Sequence, residues 1–316
     1  MAVATEGHFG RAAARLNLTQ PGLTLRIQAL ERELGAQLLE RSAREVQLTA
    51  AGTVLLPHAR SLLRIEDRAL RELKDQAEGI AGRLRISYLS NGAVTFPGQL
   101  VNEFRRRYPT VHVETMVGHT SLNAQRLLDG IVDAAFISPG FIGSAGIHDQ
   151  VAVRLLSRQK LMVVMNPNHH LARLDQIPVK ALAREPLIMP AASPYQAIGL
   201  VLTQWLTRHA GTELNVVAYD PPDQALEAVA RSTSLITFTN AARAANAPLP
   251  GVAYRSLSPE LLSDFGLAYF RGDESQVLAN LVRLVDEMAG EGPGDLPEGS
   301  ELLSAADPGA VGPQNA

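Results

Sequence analysis

The chain has eight histidines and no cysteine, and that pairing settles much of its available chemistry. Without thiols there is no disulfide, thiolate nucleophile, thiolate zinc site or cysteine-held iron–sulfur cluster, and a reducing compartment fits. His169-His170, with His119, raises the question of a metal. A histidine pair with no carboxylate at ligand spacing reads instead as surface, so no metal is assigned. No G-x-S-x-G, H-E-x-x-H or phosphate-cradling glycine motif occurs, so no catalytic residue is assigned and the chain is not read as an enzyme. A hydrolase or transferase would need a constellation that is missing here. What remains is a set of short polar runs: Leu89-Ser90-Asn91-Gly92, Gly118-His119-Thr120-Ser121, Ser138-Pro139-Gly140, Ser193-Pro194-Tyr195 and Thr237-Phe238-Thr239-Asn240.

These runs sit where β-rich segments end or helical ones begin. The segments LRISYL, a helix from Thr95 to Arg107, VHVETMV, a helix around Gln125 to Leu128, and VDAAFIS form one alternating set. LMVVM, PLIMP, a helix from Tyr195 to His209, ELNVVAY, a helix around Asp223 to Arg231, and LITFT form a second, followed by DFGLAYF and a last helix from Gln276 to Met288. Strands alternating with helices imply parallel α/β units. Open α/β sheets bind ligands at the carboxyl ends of strands and at helix N-termini. The candidate small-molecule contacts are therefore Ser90, Asn91, His119, Thr120, Ser121 and Ser138 in the first set, and Ser193, Tyr195, Thr237 and Thr239 in the second. Helix capping explains Ser, Thr and Asn at such places equally well. Trp205 and Phe104 fall on apolar helical faces and read as core.

Upstream the rhythm is helical. Phe9, Ala12, Ala13 and Leu16 recur at i, i+3, i+4, i+7, and Asn17-Leu18-Thr19-Gln20-Pro21 supplies a turn, an N-cap hydroxyl at Thr19 and a proline in the next first turn. Leu23, Ile27, Leu30 and Leu34 then mark one face of a second helix, with Gly35 as its stop. This makes a helix-turn-helix candidate. From Ala50 to Glu78, Leu56, Ala59, Leu63, Leu70, Leu73 and Ala77 follow three- and four-residue steps, with Glu66 in the seam. That heptad pattern fits a dimerisation helix carried by Leu56, Leu63, Leu70 and Leu73, or an amphipathic helix packed on its own domain. Pro57 predicts a start or a kink near it, not an unbroken rod.

The length of 316 residues suggests two or three domains at roughly 100–150 residues each, and 46% hydrophobic with 19% charged residues suffices for real cores. The net charge of -3 hides an asymmetry. The Gly- and Pro-rich stretch from Gly290 to Ala316 carries five acids and no base and reads as a disordered acidic tail. The first fifty residues hold six Arg against five acids, barely basic for a nucleic-acid partner. No apolar run is long enough to span a membrane and no secretory signal is present, so the expected address is cytoplasmic.

The run GHFGRAAARLNLTQPGLTLRIQALERELGAQLLERSAREVQLTAAG resembles the winged helix-turn-helix of LysR-type transcriptional regulators. The likeness holds at Phe9, Ala12, Ala13, Leu16, Thr19, Gln20, Pro21, Leu23, Ile27, Leu30, Glu31, Leu34, Gly35, Leu38, Arg41, Leu48, Thr49 and Gly52, and continues more weakly to about Met288. It implies an α/β protein with an N-terminal all-α winged helix-turn-helix over 1–52, a long linker helix over 53–79, and a two-lobed α/β effector-binding domain over 82–289. The first lobe would take about 82–157 and 265–289, the second about 158–264. The implied partners are double-stranded operator DNA, a small-molecule effector, RNA polymerase and further copies of the chain as a homodimer or homotetramer, with no membrane and no resident cofactor.

In such a fold the second helix enters the major groove and the wing approaches the backbone. Counting 100° per residue turns Pro21, Thr24, Leu25, Gln28 and Arg32 away from the apolar stripe. Gln28 would read an adenine edge, Thr24 a base or phosphate, and Arg32 a phosphate. The DNA-contacting set is thus Thr19, Gln20, Pro21, Thr24, Gln28 and Arg32, with Arg41 and Arg44 on the wing. In the family the polar strand ends line the effector cleft. Two departures stand out. Members commonly carry most of a first helix ahead of this point, so here that helix is expected to be truncated; Leu25 stands where a polar residue is common. A small-molecule binding protein with an incomplete DNA-binding module is therefore the alternative.

Overall fold

Two of the N-terminal helices begin on a side chain that accepts backbone N–H groups. His8 Nδ1 accepts from Gly10 N at 2.9 Å to start α2 (Phe9–Arg15), which follows a short α1 (Ala2–Glu6). Thr19 Oγ1 accepts from Gly22 N at 3.3 Å to start α3 (Gln20–Leu34), whose end is set by Gly35 at φ 63°. Such caps satisfy donors that no helical carbonyl reaches. The computed structural model describes residues 1–41, 46–77, 82–89, 96–141, 151–191, 197–290, 292–294, 296–297 and 300–302. They fall into two units, Met1–Ala77 and Glu78–Ala316.

The first unit packs Val3, Phe9, Ala12, Ala13, Leu23, Leu38 and Leu39 into a small core. It is not all-α: β1 (Leu39–Arg41) and β2 (Val46–Leu48) pair antiparallel as a wing, with Leu39 opposite Leu48. Glu31 holds this wing to α3, its Oε1 accepting from Leu38 N at 2.8 Å and Leu39 N at 3.2 Å. The expected apolar stripe is only partly buried. Leu23 is in the core and Ile27 packs beside it, whereas Leu30, Leu34 and Leu16 are exposed; Leu16 lies just past the end of α2.

Next, α4 (Ala50–Ala77) is capped by Thr49, whose Oγ1 accepts from Gly52 N at 3.0 Å. A Cβ on Gly52 would lie 2.1 Å from the Leu38 carbonyl oxygen, so only glycine lets the helix start this close to the wing. The helix therefore begins before Pro57 and runs through it, forgoing the one hydrogen bond proline cannot donate.

Among the described residues, the second unit is built on eleven strands. Its elements in chain order are β3 (Arg83–Leu89), α5 (Phe96–Arg107), β4 (His112–Gly118), α6 (Thr120–Leu128), β5 (Ala134–Ile137), β6 (Val151–Met165), β7 (Gln176–Pro178), β8 (Leu187–Pro190) and α7 (Ala197–Ala210). They continue with β9 (Val216–Asp220), α8 (Pro222–Ala230), β10 (Ile236–Asn240), α9 (Ala241–Asn246), β11 (Ala253–Ser258), β12 (Glu260–Phe270), α10 (Gln276–Ala289) and β13 (Ser300–Leu302). The main order is β4-β3-β5-β12-β6-β10-β8-β9. The β3–β4, β3–β5, β8–β9 and β8–β10 pairs are parallel, as alternating strands and helices require.

Two long strands, β6 and β12, join the lobes. They pair antiparallel from Val151–Phe270 to Lys160–Leu262, with a register shift between Phe265 and Gly266. Beyond Lys160, β6 continues into the second lobe, pairing with β10 and β11. Residues 151–160 carry mixed polar and apolar side chains and show no clean alternation, which is why the sequence read a strand only from Leu161. The first lobe packs α5 and α10 against one sheet face around Phe104, Phe136 and Leu281, and α6 against the other around Leu127, Ile137 and Phe270. The second lobe gathers Trp205, Leu202, Phe238 and Leu187 between α7 and its sheet. The expected disorder from Gly290 fails at Ser300–Leu302, which add to β12 as the parallel strand β13.

Candidate functional site

The outward face of α3 is a stripe of free-standing side chains. Gln20, Pro21, Gln28 and Arg32 are exposed, Thr24 is half-buried, and Leu25 is 64% exposed between them. Thr19 acts as the cap already described. Arg32 Nε donates to the Gln28 carbonyl at 3.3 Å, leaving the rest of its fork facing outward. Pro21, Leu25, Gln28 and Arg32 recur at four, three and four residues and so share one helical face. Arg11 and Arg15 on α2 are spent on Glu6: Arg15 Nη1 bonds its carboxylate at 3.1 Å and Arg11 Nη2 its carbonyl at 2.5 Å. Arg44 and the Arg41 side chain lie outside the described residues.

Among the first-lobe candidates, the structure brings His119, Thr120, Ser121 and Ser138 together. His119 caps α6, its Nδ1 accepting from Leu122 N at 3.3 Å. Burial, and then the Arg126 charge, lower its pKa below the ordinary 6.5, which keeps that acceptor nitrogen available. Thr120 Oγ1 accepts from Ser138 N at 3.2 Å, joining the end of β5 to the start of α6. Ser90, Asn91, Ser193 and Tyr195 lie outside the described residues. In the second lobe Thr239 is half-buried on β10. Thr237 corrects its expectation: it has no exposed surface and its hydroxyl donates to the Ile188 carbonyl at 2.8 Å, bracing β10 on β8. Its neighbours Ile236 and Phe238 point into the α7-side core, so strand alternation turns it to the opposite face.

Sequence reasoning missed the scaffold beneath α6. Asn123 is fully buried; its Nδ2 donates to the Tyr88 carbonyl at 2.7 Å and the Phe136 carbonyl at 3.0 Å, and its Oδ1 accepts from Ser87. Arg126 Nη1 in turn donates to Ser87 Oγ at 3.1 Å and the Val117 carbonyl at 3.0 Å. One helix turn thereby pins the ends of β3, β4 and β5. A Cβ on Gly118 would come within 2.5 Å of Asn123 Oδ1, so that strand must end in glycine. The available signal was a polar residue at position 123 in phase with Leu127, on the buried face. Also missed was Gln125, whose Nε2 is buried with no hydrogen-bond partner among the described residues and which lies four residues from Ser121.

The histidine pair is on the surface only at His170, which is exposed, whereas His169 is buried; Glu185 stands beside both rings, 3.3 Å from His169 Nε2 and 3.2 Å from His170 Nε2. His169 Nδ1 accepts from Leu171 N at 3.2 Å. A neutral ring with Nδ1 as acceptor keeps its hydrogen on Nε2, so that nitrogen, which makes no hydrogen bond among the described residues, has no lone pair to give a cation.

Residues 77–290 match the family model described as LysR substrate binding domain, and residues 1–53 match that of the bacterial regulatory helix-turn-helix protein, lysR family. The chain belongs to the LysR family of transcriptional regulators. The HTH-type transcriptional regulator XapR of Escherichia coli (strain K12) is 30% identical over 297 residues, 90% of this chain and 93% of that protein. YnfL of the same organism, an HTH-type transcriptional regulator, is 33% identical over 229 residues, 69% of this chain and 75% of its own. Among solved structures, a full-length BenM mutant superposes with a TM-score of 0.59 at 25% identity, covering 94% of this chain and 97% of that one. Full-length CbnR in complex with its target DNA has the same fold, with a TM-score of 0.52 at 23% identity over 90% of this chain and 96% of its own. As a LysR regulator the protein is a DNA-binding transcription factor and not an enzyme, with a two-lobed effector-binding domain behind its helix-turn-helix. The match over residues 1–53 gives no support to the alternative of a binding protein without a DNA-reading module. No helix among the described residues is long and apolar enough to cross a membrane.

Proposed function

We propose that this regulator reads its operator through Gln20, Thr24, Gln28 and Arg32 on α3, and responds to a small acceptor-bearing molecule bound at the strand ends of its α/β unit. The observation that carries the first half is the outward α3 stripe, whose long polar side chains are held by no other element among the described residues. Gln28 presents a bidentate amide suited to an adenine edge, and Arg32 and the wing arginines Arg41 and Arg44 supply phosphate contacts. With six arginines against five acids in the first fifty residues, and two arginines held by Glu6, an isolated module binds weakly. Pairing of two copies through the exposed Leu63, Leu70 and Leu73 face of α4, joined by the half-buried Leu56, makes up that deficit. The protein works in the cytoplasm, where operators and metabolites meet.

The second half rests on α6. Ser121 and the unpartnered Gln125 donor share a face one turn into this helix, beside Thr120, Ser138 and the His119 cap. The helix N-terminus favours a carboxylate or another anion there, and Gln125 lacks the acceptor such a ligand brings. For the effector to act on DNA binding, it must bind the two arrangements of the regulator unequally.

A binding titration of the full chain on its own upstream DNA at increasing salt tests the reading. Steep loss of affinity with salt, together with preference for one site over random duplex, is expected. Absence of binding at low salt would remove the DNA-reading role.

A further inference from the structure

On α7, Trp205 and His209 lie one turn apart with their rings stacked, centroids 4.1 Å apart and planes 24° from parallel. Trp205 Nε1 donates to Glu301 Oε2 at 2.9 Å, and His209 Nε2 lies 2.9 Å from Glu301 Oε1. The other ring nitrogen, Nδ1, lies 2.9 Å from the Trp205 carbonyl oxygen. A carbonyl oxygen only accepts, so Nδ1 must carry hydrogen. An ionised carboxylate also only accepts, so Nε2 must carry one too. Both nitrogens are satisfied only when His209 is an imidazolium, and the indole stacked on it favours that cation. With Nδ1 protonated and the ring neutral, a lone pair would face the carboxylate.

We propose that α7 carries a carboxylate-binding site, made of the Trp205 indole N–H and a protonated His209, and that Glu301 fills it as the buckle of a strap between the two lobes.

The path of the strap supports this independently. It leaves α10, whose Leu281, Leu284 and Val285 belong to the first-lobe core. Arg154 on β6 holds the Gly290 carbonyl at 2.7 Å, and Arg158, farther along β6, holds the Gly294 carbonyl at 2.8 Å. It then pairs as β13 with Glu260, Leu261 and Leu262 of β12, where Leu261 is part of the second-lobe core. Gly290, Gly294 and Ser300–Leu302 are thus each held to one of the two strands that join the lobes. Because α7 also packs against the 3₁₀ turn Pro139–Phe141 of the first lobe, the buckle sits on a helix that touches both lobes.

Trp205 is the only tryptophan, so its fluorescence reports the buckle directly. In the full chain, Glu301→Ala and His209→Gln should each shift the Trp205 emission, since each removes one side of the site. Glu301→Gln keeps a side-chain acceptor for the indole but no charge, so its spectrum should stay nearer that of the natural chain; this variant separates loss of charge from loss of fold. Because the chain has no cysteine, Asn102→Cys with Asp175→Cys places one spin label on each lobe. The interlabel distance distribution should be narrow in that background and broaden when Glu301→Ala is added. An unchanged spectrum in Glu301→Ala overturns the carboxylate site. A shifted spectrum with unchanged interlabel distances overturns the strap.

Discussion

Helix α3 and the first turn of α6 both present polar residues at regular spacing, yet they use them in opposite ways. On α3, Gln20 and Gln28 extend from a helix whose other face closes a core, and nothing among the described residues of their unit holds their side chains. On α6, His119 and Thr120 accept backbone N–H groups and Asn123 ties two strands, so groups around the candidate ligand site also hold the fold. A surface that reads a partner can be altered without touching stability, whereas a site built from caps cannot.

The sharpest way to break this contrast is Asn123→Leu. It strips partners from the Tyr88 and Phe136 carbonyls and from Ser87, and should destabilise the second unit by about 2–4 kcal/mol. Urea unfolding followed at Trp205, which lies in that unit, measures it; a loss below about 0.5 kcal/mol would mean α6 is not the brace described. Gln28→Ala should leave that unfolding curve in place while lowering discrimination among operator sequences by about 1–3 kcal/mol. Equal loss on specific and random DNA would assign Gln28 to phosphate or structure.

Two smaller effects refine the picture. Leu25 lies in the stripe proposed to face the groove, with apolar surface to offer, and a thymine methyl is the matching feature in the major groove. Replacing thymines by uracil in the selected site should weaken binding by about 1 kcal/mol for the natural chain and have no effect on Leu25→Ala. His119 should give the smallest effect. Its folded pKa lies below 6.5, so the unfolded chain takes up that proton first as pH falls. Its contribution to stability is therefore complete above about pH 6.5 and is lost as pH drops toward the folded value. His119→Asn, which caps without titrating, should flatten this part of the urea-midpoint profile; an unchanged profile would remove His119 from the cap.

Legibility followed the same divide. The helix-turn-helix was readable because caps, periodicity and glycine stops are local: Thr19, Pro21 and Gly35 stand where the structure uses them. The helices from Phe96 and Gln276 were found within a residue for the same reason. β6, β12 and the Ser300–Leu302 strand are fixed by partners far along the chain, and the wing strands, though they pair locally, are three residues each; short or mixed-polarity segments carry no period to announce them. Burial separated residues that looked alike. Thr237 and Thr239 are two apart on one strand and share its face, yet the first is buried in the sheet's packing and the second, nearer the strand end, is half-buried. Leu30 and Leu34 continue the stripe of Leu23 and remain exposed because the small core of their unit ends before them.

The shift in register between β6 and β12 has a mechanical meaning. A paired ladder resists sliding and splaying, since either breaks several hydrogen bonds at once, and it yields most readily to torsion. At the shift, Gly266 passes so close to Arg154 that a Cβ there would lie 2.6 Å from the Arg154 carbonyl oxygen, and the ladder skips Leu156. Such a bulge concentrates twist at one point of an otherwise stiff ribbon. The two lobes are therefore coupled as by a torsion bar with one soft section, and the motion this pairing resists least is rotation of one lobe about the β6–β12 axis.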